Sequence, residues 1–175
     1  LPIPKDDGAC NHLLGEEIPD ISLYNQEGNY LKLRRNDSFR IILYCYPMTG
    51  APNKLLPPNW DSIPGARGCT PQTCSFRDNY ENLIKSNSVP IGLSTQSVKE
   101  INEMVRRLVV PFDVLSDNNL KFSKAMNLPI FKIKNSYFIK RLTLVIQQSI
   151  IKKIFYPIFP PDLHINEVLS WLKNN

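Results

Sequence analysis

The sequence predicts an α/β sandwich: a central mixed sheet flanked by helices, with a β-hairpin at its N-terminal end. Three observations carry that prediction. Residues 41–46, Ile-Ile-Leu-Tyr-Cys-Tyr, are apolar at every position, as a strand covered on both faces must be. Strand and helix patterns then alternate between Val89 and Leu108. The chain closes with a hairpin pattern and an amphipathic helix, so both sheet and helices have apolar faces to bury against each other.

Taken in order, residues 1–14 have little periodicity and read as an arm, and residues 15–175 have the length of one domain. Ile18-Pro19-Asp20-Ile21-Ser22-Leu23 and Tyr30-Leu31-Lys32-Leu33 flank the turn-rich Asn25-Gln26-Glu27-Gly28-Asn29 and form the hairpin near a sheet edge. Pro47 ends the central strand. Residues 48–68 follow as a long loop holding Pro52, Pro57, Pro58, Pro64 and Trp60; in a compact domain such a loop is usually functional or mobile. Thr70 as N-cap and Pro71 at the first helical position start a helix between two cysteines. Its core stripe of Phe76, Tyr80, Leu83 and Ile84 runs to about Lys85. Residues 89–94 read as a strand, and Ser97 with Glu100 makes a capping box before Val98, Ile101, Val105 and Leu108. Residues 110–115 form a short extended run, and Asp117 caps a brief helix reaching Met126. Residues 137–147 and 150–156, joined at Gln148-Ser149, read as a hairpin. Ile165, Val168, Leu169 and Leu172 mark the last helix, after Pro160-Pro161.

A composition of 42% hydrophobic and 21% charged residues fits a soluble globule, and 175 residues suffice for a real core. The net charge is +5, yet Lys and Arg are scattered, with only pairs such as Arg34-Arg35, Arg106-Arg107 and Lys152-Lys153. Without a long basic run or interleaved aromatics, no nucleic-acid partner is expected. No apolar run approaches the ~18 residues of a membrane span, and residues 1–7 lack the charged-then-apolar order of a signal peptide, so the expectation is a cytoplasmic protein. His12 and His164 are the only histidines, which argues against a Cys-His hydrolase dyad or a histidine-rich metal site. The glycines show no phosphate-cradling spacing. Neither metal nor organic cofactor is expected.

Four cysteines are too few for a disulfide scaffold. Cys45 belongs to the central strand and reads as core; Cys10, in the arm, reads as exposed or loosely packed. Cys69 is different, because it stands at a helix start. The thiolate is the nucleophilic form of cysteine, and a helix N-terminus favours an anion, as does the cation Arg67 two residues earlier. On position alone an ordinary turn cysteine remains open. Cys74 completes a C-x4-C pair, which is neither a C-x2-C dithiol nor a recognisable half of a zinc site. It lies about 160° around the helix from Phe76, off the core stripe. With both cysteines helical, their Cα atoms stand about 8.6 Å apart, beyond the ~7 Å that a disulfide spans. A bond between them therefore requires the first helical turn to open, which is the behaviour of a redox switch.

Tyr46-Pro47 after an apolar strand, Gly68-Cys69-Thr70, Cys74, Phe76-Arg77-Asp78 and Lys140-Arg141-Leu142-Thr143 together resemble the peroxiredoxins. The branch most similar is the bacterioferritin-comigratory-protein or Q type, whose resolving cysteine follows five residues after the peroxidatic one. The resemblance covers roughly residues 15–172. It implies a thioredoxin-like fold and a peroxidase acting on hydrogen peroxide and small organic hydroperoxides. Cys69 is then peroxidatic, Cys74 resolving, and thioredoxin or a glutaredoxin-like dithiol the reductant. By itself Arg141 is an edge-strand arginine whose stem covers apolar surface; the resemblance makes it the cation beside the reactive sulfur. It likewise gives Pro47 the role of shielding the thiolate, and gives Gly68 backbone contact to the peroxide. One position departs: Ala66 stands where the branch has a threonine, and Thr49 or Thr70 is left as the replacement hydroxyl. The segment between Pro47 and Cys69 is also expanded. A monomer or weak homodimer is implied. Two other readings stay open, a thiol-disulfide oxidoreductase and a non-enzymatic protein whose 48–68 loop is remodelled by oxidation.

Overall fold

The computed structural model describes residues 1–175. Its strands are β1 (Ser22–Asn25), β2 (Tyr30–Lys32), β3 (Arg40–Cys45), β4 (Ser88–Ser94), β5 (Val114–Ser116), β6 (Ile130–Ile133), β7 (Ser136–Ile139), β8 (Leu142–Gln147) and β9 (Ile150–Phe155). The helices are α1 (Cys69–Asp78), α2 (Tyr80–Lys85), α3 (Val98–Leu108), α4 (Lys121–Ala125) and α5 (His164–Asn174), with a short 3-10 turn at Trp60–Ser62. Seven strands form one mixed sheet in the order β2-β1-β5-β4-β3-β8-β9, while β6 and β7 make a separate ribbon. No helix is long and apolar enough to cross a membrane.

The central strand is central because both its faces have a core to enter. Ile41, Leu43 and Cys45 join a cluster with Leu13, Leu93 and Phe122, whereas Ile42 and Tyr44 join the opposite cluster with Phe76, Ile101 and Val168. β3 runs parallel to β4 and antiparallel to β8. Each fully buried aliphatic side chain contributes about 1.5–3 kcal/mol, so this strand ties the two core clusters together across the sheet. The capping box holds α3 as expected: Glu100 N donates to Ser97 Oγ at 3.3 Å and Ser97 N donates to Glu100 Oε2 at 2.8 Å.

Four local expectations change. The helix begins at Cys69, with Gly68 rather than Thr70 as its N-cap. It also breaks at Asn79, whose side-chain Nδ2 donates to the Ser75 carbonyl at 2.9 Å, so the apolar stripe is shared between α1 and α2. Residues 137–147 are not one strand. The apolar pattern is continuous there, but β7 pairs with β6, Lys140 N donates to the Pro129 carbonyl at 2.9 Å, and β8 starts only after Arg141. Arg141 therefore sits at the joint between two sheets, not on a strand face. The second half of the arm is packed, not loose: Leu13 is fully buried and Cys10 only 3% exposed, both in the larger core cluster, because Gly15 N and the Glu16 carbonyl pair with Ile151 along β9.

Candidate active site

The backbone that presents Cys69 needs a glycine before it. Gly68 has φ of 104°, and a Cβ there would come within 2.4 Å of Pro161 Cγ, so no other residue fits the turn unchanged. Cys69 then opens α1 with its sulfur packed in the cluster of Tyr44, Tyr46 and Phe76, and it is 3% exposed. That burial is not enclosure, because Cys69 lines a cleft of about 550 Å³. Met48, Leu56, Trp60, Phe159 and Pro161 form its mostly apolar walls.

Arg141 supplies the charge. Its Nη2 donates to Cys69 Sγ at 3.1 Å and also faces the carbonyls of Gly65, Ala66 and Arg67 at 3.1 to 3.2 Å. Nη1 donates to Gln72 Oε1 in a short contact. Arg141 is 4% exposed, and no carboxylate is among its acceptors. A buried cation without a counter-charge is costly, and the only acceptor here able to carry a full negative charge is the Cys69 sulfur. As a thiol, Cys69 can instead donate to the Ala66 carbonyl, 3.5 Å away. Arg67, the cation expected to favour the anion, pairs with Asp61 at 2.6 Å in solvent, so the charge at the sulfur comes from Arg141.

Of the two hydroxyls left open by Ala66, Thr70 lines the cleft. Thr49 does not: its Oγ1 and backbone N both donate to Gln96 Oε1, at 3.1 and 3.0 Å, and it borders a different cavity. Gly68 lines the cleft, whereas Pro47 is buried directly after β3 and stands outside the lining. Cys74 is half-buried on α1 and also outside the lining, and all four cysteines are free thiols. With both cysteines in α1, the ideal Cα separation of about 8.6 Å still exceeds disulfide reach. No group of three His, Cys, Asp or Glu side chains gathers anywhere to hold a metal ion.

Gln72 was missed from the sequence. It is fully buried and orients Arg141, leaving its own Nε2 without a partner. Residues i and i+3 share a helix face, so a polar residue three after Cys69 was the available signal.

Cys10 and Cys45 are chemically set apart from Cys69. Burial pushes the Cys10 thiol up to about 12 and Cys45 far above the ordinary range, so both stay protonated and inert.

His164 anchors the wall that carries Pro161. Its Nε2 lies 2.9 Å from Thr143 Oγ1 on β8, two residues past Arg141. Burial, and then the Arg141 charge, push its pKa down to about 4. Glu167 is 3.7 Å away and pulls the other way, but its side chain is 63% exposed and screened. The folded state thus holds His164 neutral, while the unfolded chain takes up a proton below about 6.5. This contribution is complete above about pH 6.5 and is lost as pH falls toward 4, on the order of 3 kcal/mol in all. Urea unfolding at pH 7.5 and pH 5 should show a stability loss that is smaller in His164→Gln than in the parent.

Fold and site together define a thioredoxin-like protein whose first long helix opens on a cysteine facing a buried arginine. The chain belongs to the Redoxin family, which it matches over residues 13–170. Within that family its likeness is to the Q-type peroxiredoxins. It is 25% identical to the chloroplastic peroxiredoxin Q of Populus jackii, covering 99% of this chain and 76% of the relative. It is 26% identical to that of Sedum lineare, covering 99% and 84%. The crystal structure of peroxidoxin BcpB from Mycobacterium tuberculosis superposes with a TM-score of 0.76 at 21% identity, covering 93% of this chain and 98% of that one, a likeness of fold.

Proposed function

We propose that this chain is a thiol-dependent peroxidase in which Cys69 is the peroxidatic and Cys74 the resolving cysteine. The observation that carries the assignment of Cys69 is the buried guanidinium of Arg141, which donates to its sulfur and has no carboxylate partner. A peroxide enters the cleft and the Cys69 thiolate attacks its terminal oxygen. The O–O bond breaks, alkoxide or hydroxide leaves and takes up a proton, and Cys69 becomes a sulfenic acid. Arg141, with the backbone N–H groups at the head of α1, stabilises charge as it moves from sulfur to oxygen. The hydroxyl assigned to contact with the peroxide is that of Thr70, which lines the cleft.

Cys74 then attacks the sulfenic sulfur, releasing water and forming the Cys69 to Cys74 disulfide. That step requires the first turn of α1 to unwind, including the bond from Gln72 N to the Gly68 carbonyl. A dithiol of the thioredoxin or glutaredoxin type reduces the disulfide by thiolate exchange. The apolar cleft favours organic hydroperoxides alongside hydrogen peroxide, since its walls offer carbon to bury and few polar partners. The test is peroxide consumption coupled to thioredoxin, its reductase and NADPH, with cumene hydroperoxide and hydrogen peroxide as substrates. Steady turnover is expected; insulin reduction without peroxide turnover would instead favour a thiol-disulfide oxidoreductase.

A further inference from the structure

A second cavity, of about 320 Å³, touches Arg141 and Gly65 but shares no lining residue with the cleft over Cys69. We propose that it binds a small aromatic carboxylate, and that occupancy lowers the reactivity of Cys69 by way of Arg141.

Its chemistry is that of an anionic amphiphile site. Lys5, Lys140 and Arg141 line it with no carboxylate among the lining residues, and Phe131, Ile63 and Ile158 give it an apolar floor. The size falls at the lower end of small-molecule sites, which start at about 300 Å³. Lys5 makes no ion pair. Lys140 pairs with Asp7 at 3.1 Å, and Tyr156 donates to the same carboxylate at 2.8 Å; both partners of the ion pair are solvent-accessible, so it is weak and exchangeable. The ring of the ligand would sit on Phe131 and Ile158, its carboxylate between Lys5 and Lys140.

Arg141 connects this cavity to the reacting sulfur. The same guanidinium that reaches Cys69 Sγ donates to the Gly65 carbonyl through Nε and Nη2, and Gly65 is a wall of the cavity. The arm closes over that wall, because a Cβ on Gly65 would lie 3.7 Å from Pro4. An anion in the cavity shares the field of a buried cation whose other acceptors, the sulfur apart, are neutral oxygens. The charge on sulfur is then less stabilised, and attack on peroxide slows.

The binding claim stands apart from the peroxidase reading, and only its rate consequence rests on that reading. Isothermal titration of the reduced protein with 2-naphthoate should give a Kd below about 1 mM, with 2-naphthamide binding at least about tenfold more weakly. Lys5→Glu should weaken naphthoate binding at least about tenfold with the melting temperature unchanged. Protein alkylated at Cys69 should still bind. Saturating naphthoate should slow peroxide consumption by about fivefold in the parent and much less in Lys5→Glu. Equal binding of the amide, binding indifferent to Lys5→Glu, or no binding would overturn the site. Binding that leaves the rate unchanged would overturn the coupling through Arg141. Absence of peroxide turnover altogether would sink the peroxidase reading and leave the titration to judge the site.

Discussion

Cys69→Ser is expected to reduce peroxide consumption to background with every peroxide tested. A serine hydroxyl is a weak nucleophile without an adjacent general base, and none is present: the nearest titratable neighbour, Arg141, is a fixed cation that cannot accept a proton. Cys74→Ser should behave differently. Cys69 still reaches the sulfenic acid, so one equivalent of peroxide per chain is consumed in a burst, after which turnover stalls unless an external thiol is supplied. Cys10 and Cys45 offer no rescue, since both are buried, protonated thiols. Stopped-flow peroxide consumption separates the two variants. Multiple turnovers by Cys69→Ser would remove it from the peroxidatic role, and steady thioredoxin-supported turnover by Cys74→Ser would remove that cysteine from the resolving one.

Arg141→Ala should lower kcat/KM for peroxide by about 10²–10³-fold, the range typical of losing one preorganised donor at a developing charge. Stability should change less than the burial of the residue suggests, because two effects oppose. Removing an uncompensated buried cation is favourable, whereas the carbonyls of Gly65, Ala66 and Arg67 each lose a donor, at about 1–3 kcal/mol for any left dry. Arg141→Lys should not restore activity. A single ammonium keeps the charge but cannot reach the sulfur, Gln72 and three carbonyls together, so kcat/KM should remain at least about tenfold down. The readout is the second-order rate of Cys69 oxidation, with urea unfolding to separate chemistry from folding. Wild-type rates in Arg141→Ala would show that the contact to Cys69 is structural.

Periodicity made the core legible in the sequence, and capping chemistry made α3 legible. The run of residues 41–46 could only be a strand covered on both sides, and Ser97 with Glu100 announced its helix. The reactive helix was legible in place but not in detail. Thr70-Pro71 resembles a cap, yet the left-handed turn at Gly68 moves the start two residues earlier and makes Cys69 itself the first helical residue. The joint at Lys140-Arg141 was hidden because the apolar residues on either side keep one continuous pattern. Only tertiary pairing of β7 with β6 separates them. Cys10 was misplaced for a related reason. An arm without periodicity looks loose, but its burial comes from pairing with β9, which is more than a hundred residues away in the chain. Thr49 and Thr70 could not be ranked without knowing that Gln96, on a distant turn, engages Thr49.

The most direct test is to treat the fully reduced protein with one equivalent of hydrogen peroxide, alkylate the remaining thiols under denaturing conditions, and map the cysteine peptides by mass spectrometry. A link joining Cys69 to Cys74, with Cys10 and Cys45 recovered as alkylated thiols, is the predicted outcome. Four alkylated cysteines, or a link that draws in Cys10 or Cys45, would contradict the assignment of the buried sulfur beside Arg141 as the site of peroxide reduction.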